Sequence, residues 1–276
     1  MIRKPGKYNY TKLKAHRSIS PNRCMGKGVD KVAAEQLTGE AKRCGLLSDG
    51  QFESRKGPSA IDAAAIMVDR AHAAWKNGHI TGVLLMEIKA AFPSVAKGRL
   101  VNVMNVRQMY GDLLRWTESV LSERMVEMII EGNVMDRPPV EAEVPPGSPV
   151  SPSLFAIYTS ALIKWAEEYV SEAKGLSFVD GLSWVATRSG VNHVVSILER
   201  CVAKSIKWAS RCGLQLNTAK TEAALFTRRR GHRKHLRANL TAMIRVANGS
   251  IRFNPQVTRW LGVWMDAHLT FKEHLK

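Results

Sequence analysis

The stretch Ser177-Phe178-Val179-Asp180-Gly181-Leu182-Ser183-Trp184-Val185 constrains this chain more than any other. A short apolar run, an acid followed by a glycine, and a second apolar run together make the strongest short-range signal for a β-hairpin. The reason is that both central residues of a type I′ turn need positive φ, which places Asp180-Gly181 at the centre of the turn. Taken alone, the stretch reads as a surface hairpin with a favourable turn. The alternative is that Asp180 stands at the tip to hold a metal ion, and the choice depends on the rest of the chain.

Thr81-Gly82-Val83-Leu84-Leu85-Met86-Glu87-Ile88 is a nearly unbroken apolar run, the pattern of a strand buried on both faces. A carboxylate interrupts it near its end, and a charge there is costly unless something compensates it. A salt-bridged or capping Glu87 satisfies that need, and so does a metal ligand. Lys and Arg total 41 against 24 Asp and Glu, a net charge of +17. Such an excess points to a polyanionic partner, with nucleic acid the default and an anionic membrane surface the competitor. No apolar stretch is long or uninterrupted enough to span a bilayer. Two strand-tip carboxylates in a polybasic chain suit two-metal phosphoryl transfer, in which carboxylates hold Mg²⁺ ions roughly 3.5–4 Å apart.

The remaining segments supply the frame. Residues 1–31 carry nine Lys or Arg and one acid, Asp30, and read either as a solvated basic arm or as a strand and loop tracking phosphates. Residues 29–37 form a helix with Val29, Val32, Ala33 and Leu37 on one face. Ser59 caps a helix over 61–75 with Asp62 in its first turn, and Asn77-Gly78 ends it. Helices follow over 96–109 and 111–121. Strands at 126–130 and 140–144 flank Gly132-Asn133 as a hairpin. Pro145-Pro146-Gly147-Ser148-Pro149-Val150-Ser151-Pro152 leads into a helix to about residue 170, with Ser151 as N-cap and Pro152 in the first helical position. An amphipathic helix over 191–212 ends at Gly213, a strand covers 223–226, and a strand pair covers 257–265. The run from Arg228 to Arg237 holds six formal charges in ten residues and is a solvated loop or a nucleic-acid contact. Cys24, Cys44, Cys201 and Cys212 show no metal-ligand spacing and read as reduced thiols. The amino terminus has no apolar core after its charges, so it is no signal peptide.

A series of motifs, in order, resembles the reverse transcriptase domain of a non-LTR (LINE-like) retrotransposon polyprotein of fungal type. Ile2-Arg3-Lys4-Pro5-Gly6-Lys7 with Ala15-His16-Arg17-Ser18-Ile19-Ser20 is similar to that family's opening finger segment, and Gln51-Phe52 with Arg55-Lys56-Gly57 to its fingertip loop. Leu85-Met86-Glu87-Ile88-Lys89-Ala90-Ala91-Phe92 stands where the family has its first catalytic aspartate. The Pro145–Pro152 stretch resembles the template and nucleotide loop, and Phe178-Val179-Asp180-Gly181 stands where an aromatic-x-Asp-Asp box belongs. Gly213-Leu214-Gln215-Leu216-Asn217 with Lys220-Thr221-Glu222 resembles the next palm motif, and Trp260-Leu261-Gly262-Val263 the primer-grip hairpin.

The resemblance implies roles. Glu87 and Asp180, with the backbone carbonyl of Ile88, would coordinate Mg²⁺, with Mn²⁺ as a substitute. Phe92 would be the steric gate against the ribose 2′-hydroxyl. Arg55 and Lys220 would meet the incoming triphosphate, Gly147 and Ser148 would sit under the nascent base pair, and Leu261 and Gly262 would hold the primer end. Arg228, Arg229 and Arg230 would touch nucleic acid. The chain departs from the family's pattern at several of these places. Glu87 replaces Asp and moves its carboxylate by about one C–C bond, ~1.5 Å, while a misplacement near 1 Å can cost on the order of 10²-fold in rate. Gly181 replaces a second Asp, Pro146 replaces Gln, and Glu53 and Pro58 stand where the fingertip loop carries Gly and Arg.

The fold expected is α/β (α+β), a right-hand polymerase palm and fingers with an antiparallel palm sheet backed by helices and no thumb. Residues 1–80 would be mainly fingers, 81–256 the palm with a finger insertion, and 257–276 the primer-grip hairpin and the start of the missing thumb. The function expected is RNA-directed DNA polymerase, reduced or absent in this copy. Its partners would be an RNA template, a DNA primer and deoxynucleoside triphosphates, in the nucleus or cytoplasm. The endonuclease and RNase H domains of a parent polyprotein are not in the sequence. A non-catalytic nucleic-acid-binding remnant and a poorly folding, non-functional product are the alternatives.

Overall fold

The computed structural model describes residues 2–6, 8–11, 15–17, 24–55, 57–122, 144–228, 242–246, 249–254 and 256–276, and the backbone of 127–130 and 133–136. In chain order the elements are β1 (Ile2–Arg3), β2 (His16–Arg17), α1 (Cys24–Arg43), α2 (Ala60–Lys76), β3 (Ile80–Glu87), α3 (Lys97–Val106), α4 (Gly111–Val120), β4 (Glu127–Ile130) and β5 (Asn133–Asp136). They continue with α5 (Ser151–Thr159), α6 (Ala161–Tyr169), β6 (Ala173–Phe178), β7 (Gly181–Arg188), α7 (Val191–Arg211), β8 (Glu222–Phe226), β9 (Met243–Val246), β10 (Gly249–Asn254), β11 (Val257–Trp260) and β12 (Val263–Asp266). The chain divides into two compact units, Met1–Leu46 with Ala90–Thr159, and Leu47–Lys89 with Ser160–Lys276.

The first unit is mainly helical. All but one residue of α5 is buried, the signature of a helix enclosed on every side, and α1 and α3 pack against it. The buried stripe of α1 runs through Ala33, Leu37, Glu40 and Ala41. Val29 and Val32, expected on that stripe, stay exposed because the packed face lies in the second half of the helix. Glu40 is held by the Arg43 guanidinium, at 2.6 and 2.7 Å, and by the Tyr110 N–H, at 2.9 Å, which ties α1 to the start of α4.

The second unit carries a six-stranded sheet of order β6-β7-β3-β8-β10-β9, antiparallel except where β10 runs beside β8. Its centre is β3, enclosed as its apolar run requires. Alternation along the strand sends Val83 and Leu85 to the core with Ala63, Ala64, Met67 and Ala71 of α2. Gly82 points the other way, where a Cβ would lie 2.1 Å from Val194 of α7, so its lack of a side chain lets that helix close on the sheet. The start of α2 follows its sequence: Ser59 and Asp62 form a capping box, and Asn77 closes the helix with Gly78 at φ 67°.

Three local expectations are corrected. The helix expected to reach residue 170 ends at Thr159, whose hydroxyl donates back to the Phe155 carbonyl at 2.9 Å, and resumes at Ala161. Ser151 opens α5, but its hydroxyl donates to the Pro145 carbonyl at 2.6 Å and does not cap the helix. The strand that pairs with β4 is Asn133–Asp136, with Ile130 opposite Asn133, and of the expected 140–144 strand residues 140–143 lie outside the described residues. The β9–β10 hairpin has no counterpart in the sequence reading. Lys56 and the run from Arg229 onward, with Arg229 and Arg230, lie outside the described residues.

Candidate active site

The end of β3 and the β6–β7 turn come together in the second unit. Glu87 pairs with Gly181, and Gly181 pairs on its other side with Phe178. Gly181 is therefore the first residue of β7, and the two turn residues are Val179 and Asp180. This corrects the sequence reading, which centred the turn on Asp180-Gly181. Of these three residues only Val179 has positive φ, 55°. Two ladders fix Gly181 in extended backbone, so the turn slips by one residue and its strain falls on a β-branched side chain.

The same pairing sets the carboxylates side by side. The Ile88 N–H donates to the Asp180 carbonyl at 2.8 Å, so the residue after Glu87 is tied to the tip of the hairpin. Asp180 is open at its surface. Protein packed around its carboxyl raises its pKa, the Glu87 charge raises it further, and Lys220 pulls it down. Lys220 reaches both Glu87 oxygens, at 2.9 and 2.8 Å. It ends a one-turn 3₁₀ helix, Thr218–Lys220, and the preceding loop is stitched to β3 by Asn217 N–H to the Glu87 carbonyl and Lys89 N–H to the Gln215 carbonyl, each 2.7 Å. With Lys220 63 % and Glu87 35 % exposed, the ion pair adds little stability. Its importance is positional, because the ammonium already neutralises one of the two carboxylates.

The β11–β12 hairpin borders this pair. Leu261 and Gly262 form its turn, both with positive φ, 49° and 88°, as a type I′ turn requires. A Cβ at Gly181 would meet the Phe178 carbonyl at 3.3 Å, Leu261 Cδ2 at 3.5 Å and Trp260 Nε1 at 3.6 Å. Trp260 is buried, and its Nε1–H has no hydrogen-bond partner among the described residues. An unpaired buried donor thus faces the position where the side chain of residue 181 would begin.

The structure therefore gathers Glu87, Ile88, Asp180, Lys220, Leu261 and Gly262 at one place. Arg55 lies in the same unit with its guanidinium donating to the Ser48 carbonyl at 2.6 Å, and exposed Arg228 stacks over Trp75 at 5.3 Å. Phe92, Gly147 and Ser148 belong to the first unit. Phe92 is half-buried, edge-on to Phe155 at 5.8 Å, and its carbonyl accepts from Val144 N–H at 3.2 Å. Gly147 has φ 94°, and the Ser148 hydroxyl donates to Asp30 at 2.5 Å. Sequence reasoning missed Glu53 as part of the site's surroundings: an acid in a Gly- and Ser-containing loop reads as solvated, yet Glu53 is 1 % exposed.

Among the described residues no three His, Cys, Asp or Glu side chains cluster as a metal cage. Mg²⁺ is usually held by one or two carboxylates plus substrate phosphates, so Glu87 and Asp180 fit one such ion. No helix of the described residues is long and apolar enough to cross a membrane.

Comparison with known proteins identifies the family and the fold. The chain is 24 % identical, over its whole length, to the probable RNA-directed DNA polymerase from transposon BS of Drosophila melanogaster, and covers 30 % of it. It is 22 % identical to the RNA-directed DNA polymerase from mobile element jockey of the same species, covering 29 %. The chain thus spans under a third of the length of these relatives. Its fold is similar to apo telomerase from Candida tropicalis, with TM-score 0.56 and 12 % identity, covering 89 % of this chain and 44 % of that one. Telomerase from Candida albicans, solved in complex with a fragment of telomeric RNA, gives TM-score 0.54 at 12 % identity, covering 72 % and 35 %. These are right-hand polymerase folds. The model of the reverse transcriptase (RNA-dependent DNA polymerase) family matches residues 2–265, and the chain belongs to that family.

Proposed function

We propose that this chain carries out RNA-directed DNA synthesis at the Glu87–Asp180 pair, and does so slowly. The observation that supports this most is the pairing of Glu87 with Gly181, which stands the two carboxylates on adjacent strand ends. In the reaction, the primer 3′-hydroxyl oxygen bonds to the α-phosphorus of a deoxynucleoside triphosphate. The bond from that phosphorus to the β-phosphate breaks, pyrophosphate leaves with the electron pair, and the hydroxyl proton passes to solvent. Glu87, Asp180 and the Ile88 carbonyl are the groups that would hold Mg²⁺ or Mn²⁺. When bound, such an ion supplies charge stabilisation for the attacking and leaving oxygens.

The chain's own residues do the rest. Lys220 releases Glu87 as metal and nucleotide arrive, and its ammonium then serves the triphosphate, as Arg55 does. Phe92 excludes a ribose 2′-hydroxyl, Gly147 and Ser148 support the new base pair, and Leu261 and Gly262 hold the primer end. Arg228, with Arg229 and Arg230, adds backbone contacts to template or primer. The unit holding the β3 sheet acts as palm and the helical unit as fingers. Slow chemistry follows from the longer Glu87 and from the missing carboxylate at 181, since metal position controls the rate steeply.

A second reading, nucleic-acid binding without catalysis, is favoured by one observation, the Lys220 ammonium seated on both oxygens of Glu87. Primer extension on an RNA template with Mg²⁺ and Mn²⁺, run beside a binding assay on the same duplex, separates the two. Extension supports the polymerase reading, whereas tight binding without extension in either metal supports the second.

A further inference from the structure

Glu53 has no part in the roles above, and its surroundings are unusual for an acid in a loop. The chain at 50–53 runs along the outer edge of β6. The Ser177 N–H donates to the Gly50 carbonyl at 2.7 Å, and the Phe52 N–H donates to the Ser177 carbonyl at 3.1 Å. The approach is close: a Cβ at Gly50 would lie 2.1 Å from the Gly175 carbonyl oxygen. This contact carries Glu53 into the interior beside the β6–β7 turn. Its carboxyl accepts from the Ser177 hydroxyl at 3.3 and 3.4 Å and from Gln51 Nε2 at 3.4 Å. Burial is the leading cause that pushes its pKa up.

A buried acid whose partners are an amide and a hydroxyl is expensive to keep. Filling the loop would need no carboxyl at all. What the carboxyl does reach is Ser177, two residues before Val179, whose φ of 55° needs external support. Asp180 follows directly, so a shift at Val179 displaces the Asp180 carboxylate.

We propose that Glu53 is a positioning residue for Asp180: its buried carboxyl holds Ser177 at the foot of the β6–β7 turn, and so fixes where Asp180 stands beside Glu87. The proposal rests on the reading of Asp180 as a metal-binding carboxylate. The test combines amide hydrogen exchange with Mn²⁺ titration of the full chain, for Glu53→Ala, Glu53→Gln and Ser177→Ala. In Glu53→Ala, exchange at the amides of 179–181 should speed up at least roughly tenfold while β3 and β8 keep their protection. The Mn²⁺ dissociation constant should rise about tenfold, the usual cost of losing a group that orients a ligand. Glu53→Gln keeps an acceptor oxygen and should restore both readouts most of the way.

Unchanged exchange at 179–181, or equal loosening of the whole sheet, would overturn the proposal. Should Glu53→Ala fail to fold, Ser177→Ala removes one hydroxyl and must show the same local loosening, or the proposal is wrong. If the unmodified protein binds no Mn²⁺, the reading of Asp180 as a ligand fails, and the exchange data alone decide whether Glu53 holds the turn.

Discussion

Replacing Gly181 tests the geometry of the site without requiring any chemistry. Position 181 sits in extended backbone, so a side chain there carries no left-handed penalty, contrary to the turn expected from Asp180-Gly181. The built Cβ lies 3.6 Å from Trp260 Nε1, and an Asn oxygen stands ~2.4 Å beyond its own Cβ. That oxygen falls within hydrogen-bonding range of the unpaired indole N–H. Relieving a buried unsatisfied donor is worth about 1–3 kcal/mol. Ordering the new side chain costs up to about 1 kcal/mol, and the 3.3 Å contact with the Phe178 carbonyl needs a small shift. Gly181→Asn should therefore stabilise by about 1 kcal/mol, near 2–4 °C in a thermal melt. Gly181→Asp makes the same bond but sets a third carboxylate beside Glu87 and Asp180, so in EDTA it should gain less than Asn. Added Mg²⁺ should reverse that order, because binding to the folded state stabilises it. Calorimetry of both variants with and without Mg²⁺ reads all four values. A Gly181→Asn protein destabilised by more than about 1 kcal/mol would show that Trp260 does not face residue 181.

Three further outcomes follow. Val179→Gly removes a β-branched residue from positive φ and should stabilise by about 1 kcal/mol in urea unfolding, whereas a loss would mean the turn is not strained. If Phe92 is the gate, Phe92→Ala should admit ribonucleotides in a primer-extension assay that the unmodified protein runs with deoxyribonucleotides alone. Equal use of both by the unmodified protein would remove Phe92 from that role. Binding to a primer–template should weaken steeply with salt, as the net charge of +17 implies. Arg228→Ala should lower the log–log slope by about one, and a slope already flat would refute the electrostatic account.

Much of the unit that holds the six-stranded sheet was legible because local pattern and tertiary role coincide there. The run at 81–88 is apolar on both faces because α2 and α7 cover both faces of β3. Ser59 and Asp62 announce α2 because a capping box is a purely local device. The hairpin at 180 was visible, but its register was not. Turn statistics favour Asp-Gly at the centre, while pairing to Glu87 on one side and Phe178 on the other draws Gly181 into the strand. β10 was missed because its parallel pairing with β8 spans a long stretch of chain and leaves no local signal. Glu53 was hidden for a related reason: only the approach of 50–53 to β6 buries it.

On the proposed function, Glu87 and Asp180 form one catalytic metal site, weakened by the residues at 87 and 181. Primer extension on RNA by the Glu87→Asp, Gly181→Asp double variant tests it most directly, with each single variant and an added Asp180→Asn as controls. Both changes serve one site, so each alone should recover little, and together they should raise the rate about 10²-fold or more. Asp180→Asn should then abolish the gain. A double variant that is folded, binds primer–template and remains inert, or one whose activity survives Asp180→Asn, would contradict the account.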